Sequence, residues 1–158
     1  MILLNATSVF SQDPPKRGMD MSGWYLSPGI AGGISGSHLY YGGEVSAFYM
    51  PKSTGILYLG IFADADKFDK GSRIIAGPEV GILFLGCDTG YLSQWEGKSR
   101  KQGFTIRPYL GIPLFFITER VHIPAIPVLD IFYRRTFVKN DDANEFGFQF
   151  KFLIGLSR

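Results

Sequence analysis

From Phe146 to Leu156 the chain alternates large apolar residues with small or polar ones without a break. One face carries Phe146, Phe148, Phe150, Phe152, Ile154 and Leu156, and the other Gly147, Gln149, Lys151, Leu153 and Gly155. A period of two is the mark of a β-strand with chemically distinct faces. At about 3.4 Å per residue and a tilt near 45°, such a segment rises roughly 26 Å, close to the ~25 Å apolar band of a membrane barrel.

The same alternation, punctuated by turn residues, predicts eight strands near 2–10, 22–35, 38–50, 54–66, 72–91, 102–120, 121–138 and 143–157. Turn-rich connections fall at Ser35-Gly36-Ser37, Pro51-Lys52-Ser53, Lys67 to Ser72 and Lys139 to Asp142, with longer polar ones at Ser11 to Met21 and Ser93 to Gln102. Successive hairpins swap ends, so 11–21, 51–54, 93–102 and 139–143 are expected together at the outer end, and both termini at the other. Prolines inside these strands, at 28, 78, 108, 113 and 127, each remove a ladder donor and mark bulges or strand ends. The stretch Met1 to Gln12 has two readings: a strand, which we prefer, or the tail of an export signal lacking a basic opening segment and a long apolar core.

Face by face, the strands repeat one scheme. Leu39, Tyr41, Val45, Ala47 and Tyr49 oppose Tyr40, Gly42, Glu44, Ser46 and Phe48, while Leu57, Leu59, Ile61 and Ala63 oppose Tyr58, Gly60, Phe62 and Asp64. Phe104, Ile106, Pro108, Leu110 and Ile112 oppose Thr105, Arg107, Tyr109 and Gly111. One face is nearly all apolar. The other mixes charge with glycine and aromatic rings, which suits the narrow interior of an eight-stranded barrel better than a solvated surface built from Lys, Glu and Thr. The fold class is therefore all-β: an antiparallel up-and-down transmembrane barrel, in a single domain over 1–158, with 1–21 open between its two readings. Phe146, Phe148, Phe150, Phe152 and Ile154 would face lipid.

Six charged residues share the polar face: Glu44, Glu79 and Asp130, with Arg107, Arg134 and Lys151. Three acids against three bases suit a closed, water-poor lumen, where an unpaired charge is costly. On this pattern the chain resembles the small eight-stranded outer-membrane barrels of the OmpA-like and related kinds. The resemblance covers roughly residues 22–158. It implies a bacterial outer-membrane location, a lumen plugged by ion pairs, and outer-membrane lipid as the surrounding partner, with other envelope proteins as candidate partners in a complex. The strand Phe146 to Leu156 is also similar to the aromatic-alternating signal read by barrel-assembly machinery, although it is followed by Ser157-Arg158 and not by an aromatic residue. Trp24, Tyr25, Tyr40, Tyr41, Tyr91, Trp95 and Tyr133 are candidates for the interfacial girdles.

Composition narrows the function classes. Charged residues make up 19% of the 158, well below the ~25% of soluble domains, and aromatics reach 15%. The net charge of +2 and the lack of a basic stripe give no warrant for a nucleic-acid partner. The lone cysteine, Cys87, excludes an intramolecular disulfide and a multi-cysteine metal site, and we expect it to be a small packed or lipid-facing side chain. No Gly-rich phosphate loop opens a helix, so no cofactor or metal site is assigned.

No catalytic residue is assigned either. His38 and His122 both fall in predicted turns, and the adjacency of Ser37 and His38 does not by itself make a nucleophile and base. Two alternatives stand beside the non-enzymatic membrane barrel: a lipid A acyl hydrolase or acyltransferase on the same scaffold, and a soluble lipocalin-like barrel holding a hydrophobic ligand with the faces inverted.

Overall fold

The computed structural model describes residues 22–54, 56–114, 125–139 and 142–156. Eight antiparallel strands run in chain order: β1 (Gly23–Ser35), β2 (His38–Met50), β3 (Leu57–Phe68), β4 (Gly71–Ile82), β5 (Leu85–Glu96), β6 (Ser99–Pro113), β7 (Ile126–Val138) and β8 (Ala143–Gly155). Each pairs with its chain neighbour, and β8 returns to β1 through pairs such as Ile30 with Phe150 and Gly32 with Phe148. Closure leaves no sheet edge.

Eight strands are thus present, but they are not the eight expected. The stretch 72–91 is two strands, β4 and β5, joined by Leu83-Phe84, with Ile82 opposite Leu85. Neither turn residue is Gly, Pro, Asn or Asp, so the usual punctuation is missing. Leu83 adopts a positive φ of 55°, rare for a bulky residue. The polar stretch expected as a loop at 93–102 is instead the end of β5, a two-residue turn at Gly97-Lys98, and the start of β6. Gly97 has φ 60° there, and Gly36 has φ 58° in the Gly36-Ser37 turn, which is why glycine serves at both. Strand 2–10, the export-signal alternative, the boundary near Glu119 to His122 and His122 itself lie outside the described residues.

Splitting 72–91 also changes the ends. The turns at 36–37, 69–70 and 97–98, with the end of β7 and the start of β8, gather at what we call the distal end. Residues 51–54, the turn at 83–84, the end of β6 and the start of β7 share the terminal end with the start of β1 and the end of β8. Residues 51–54 therefore lie at the end opposite 97–98 and not beside them, because three strands, β3, β4 and β5, separate these two turns where two were expected.

Alternation holds in all eight strands. Ile30 and Phe148 point outward at 69% and 59% exposure, while their neighbours Ala31 and Gln149 are buried inside at 7% and 2%. Phe146, Phe150, Phe152 and Ile154 share the outer face with Phe148, as does Cys87. Pro28, Pro78 and Pro108 also face outward, and each stays within its strand. At each, pairing to one neighbour is interrupted: the β1–β8, β4–β5 and β6–β7 ladders skip these positions while the opposite ladders run through them. A proline lacks only the donor on one side, so a sheet can hold it where the other side carries the pairing.

Glycine makes room inside. A Cβ at Gly81 or Gly86, paired across β4 and β5, would collide with the phenol rings of Tyr58 and Tyr109. One at Gly33 or Gly147 would meet Tyr40, and at Gly147 also Phe132. Large inward side chains on one part of the wall are accommodated by glycines on the facing part.

Candidate functional site

The interior is charged from the distal end to past mid-depth. Among the described residues, buried carboxylates come from Glu44, Asp64, Asp66, Glu79, Asp88, Asp130 and Glu145, and buried cations from Arg73, Arg107, Arg134 and Lys151. The expected balance of three acids and three bases is corrected: seven carboxylates face four cations. All six residues singled out from the sequence lie in this interior, and the structure brings them together with five more.

Near the distal end Arg73 grips Glu145 with both terminal nitrogens and donates to Asp66 at 2.7 Å. Arg134 bonds Asp66 at 2.7 Å and Asp64, and reaches Glu145 at 3.4 Å. At mid-depth Arg107 donates through Nε to Asp88 at 2.7 Å, bonds Glu44, and reaches Asp64 at 3.4 Å. Asp64 thus joins the two arginines. Each guanidinium is flanked by rings: Arg107 lies 5.3 Å from the Phe62 centroid and 5.2 Å from Phe132, and Arg134 lies 5.4 Å from Phe132. Guanidinium is weakly hydrated, planar and able to stack on aromatic faces, so Arg suits this position better than Lys.

Closer to the terminal end, Lys151 pairs with Asp130 at 2.7 Å and Glu79 at 3.8 Å. Tyr109 donates its single hydroxyl proton to Glu79, so the 2.5 Å contact between the phenols is donated by Tyr58. Below this relay the interior turns apolar: Tyr25 stacks on Phe48, Phe48 packs on Tyr58, and Met50, Val128 and Leu153 complete a cap. At the distal end a polar vestibule of about 550 Å³ opens instead, bordered by Arg73, Glu145, Lys70, Glu96 and Lys101.

The alternation that revealed Glu44, Glu79 and Arg107 also held a signal for Arg73 and Glu145, which share the parity of the polar positions on their strands. Asp88 was hidden. In an unbroken strand over 72–91 it takes the apolar parity, and only the two-residue turn at 83–84 moves it inside. Among the girdle candidates, Trp24, Tyr41, Tyr91, Trp95 and Tyr133 face outward, whereas Tyr25 and Tyr40 point into the barrel, a correction that follows from their strand parity. His38 is exposed on the distal rim, 3.7 Å from Asp69. Among the described residues no three His, Cys, Asp or Glu side chains converge as a metal site requires.

The sequence matches no protein-family model and shows no significant similarity to any curated protein.

Proposed function

We propose that this chain is a non-enzymatic β-barrel of the bacterial outer membrane, related in kind to the small OmpA-like barrels, and serves as a structural or accessory subunit of an envelope assembly. Its lumen is plugged by ion pairs, and its partners are outer-membrane lipid and other envelope proteins. The observation that carries this reading is the inverted distribution of polarity: ionic groups fill the inside, and Ile30, Ile61, Phe104 and Phe148, all more than half exposed, stand on the outside. Soluble monomers rarely expose more than a few hundred Å² of contiguous apolar surface. Strands of thirteen residues, tilted near 45°, rise roughly 31 Å and cover the ~25 Å apolar band.

A soluble ligand-binding barrel requires the reverse, an apolar lumen under a solvated exterior. The test is extraction. The protein is expected to stay with membranes until detergent is added, and then to migrate differently on gels with and without boiling, as a closed barrel does. Release into detergent-free buffer as a monomer would overturn the reading.

A further inference from the structure

We infer that the distal rim of the barrel binds the phosphate-bearing headgroups of anionic lipids. Outward-facing charge on the strands is confined to that end: Lys67 on β3, Arg100 on β6 and Arg135 on β7 each lie within four residues of a distal turn. Lys70, Lys98 and Lys139 add three exposed cations in the turns. Among the described residues, two exposed carboxylates stand against these six, Asp69 beside His38 and Asp142 beside Arg135. The inward pair Lys101 and Glu96, 2.9 Å apart, cancels. At the terminal end, Lys52 is the one charge among the described residues of the connections.

The cations sit where an amphiphile changes character. The Arg100 guanidinium lies 5.6 Å from the Trp95 ring centroid and that of Arg135 5.5 Å from Phe137, so both are held beside aromatic groups at the upper margin of the apolar wall. Below the rim an apolar groove of about 580 Å³ runs over Gly32 and Gly147, walled by Ile34, Leu39, Ile131, Phe146 and Phe148. A phosphate bonded by Arg and Lys and a chain laid along apolar side chains describe the two halves of one lipid. A free phosphate ion uses only the first half, which is why the lipid is the occupant the surface fits. The distal end then faces the leaflet richer in phosphate.

The inference rests on the membrane reading, and one experiment separates them. The purified barrel is reconstituted into phosphatidylcholine vesicles with and without phosphatidic acid, and the lipid retained after detergent extraction is measured by native mass spectrometry. Folding is followed by heat-modifiable migration. The expected result is selective retention of phosphatidic acid, weakened by salt in the unaltered protein. Replacing Lys98 and Lys139 with Gln should reduce it about fivefold per charge removed, and Lys52→Gln should leave it unchanged. Equal retention of the two lipids in a folded, inserted barrel overturns this inference alone, and failure to insert into either vesicle overturns the membrane reading with it. Full displacement of the lipid by inorganic phosphate would assign the rim to the free anion and also overturn it.

Discussion

Arg107 on β6 bonds Glu44 on β2, four strands away around the wall, so this ion pair spans the interior and ties opposite sides of the barrel together. No ladder hydrogen bond joins these strands. Arg107 also holds Asp88 at 2.6 Å and Asp64 at 3.4 Å, and it is 1% exposed. Arg107→Ala would leave seven carboxylates facing three cations, so it should cost about 3–5 kcal/mol. Lys98→Ala, in an exposed distal turn, should change stability by no more than about 0.5 kcal/mol. Urea midpoints of the refolded barrels read the contrast, and equal midpoints would mean that Arg107 is solvated.

Phe148 tests the outer face. It is 59% exposed near the middle of β8, where an arginine in the bilayer costs about 2–4 kcal/mol. Phe148→Arg should therefore lower stability in lipid vesicles by that amount, and Phe148→Leu should change it little. In a soluble barrel the arginine would be accepted at the surface or even aid solubility, so the sign of the effect separates the two environments.

Gly86 and Gly43 make a matched pair for packing. A methyl group at Gly86 would strike the rings of Tyr58 and Tyr109 and disturb the proton relay to Glu79, whereas one at Gly43 faces outward and comes no closer than 3.6 Å to the Gly29 carbonyl. Gly86→Ala should cost about 1–3 kcal/mol through overpacking. Gly43→Ala should be close to neutral, and thermal migration shifts on gels would rank them.

For His38, the expected outcome is the absence of an effect. It is exposed on the distal rim with Asp69 at 3.7 Å, and among the described residues the charged cluster inside the barrel contains no histidine. Purified protein in liposomes should neither deacylate lipid A nor transfer an acyl chain, and His38→Ala should leave folding and lipid retention unchanged. A hydrolase signal abolished by His38→Ala would transfer the chain to the lipid-modifying alternative.

What the sequence by itself determined is which residues of an unbroken strand share a side of the wall. A strand's side chains alternate whatever its partners are, so Glu44, Arg107 and Phe148 could be sorted with no knowledge of topology. Only the tertiary structure decided where the strands break, because the turn at Leu83-Phe84 carries no turn residue, and with it the ends to which 51–54 and 97–98 belong. It also decided the interior's charge. A two-residue turn reverses parity, so Asp88 moved from the apolar to the polar face. The pairings themselves, Arg107 with Glu44 or Arg73 with Glu145, join strands that share no ladder. They exist because closure brings opposite walls within a side chain's reach, a distance that alternation along one strand does not encode.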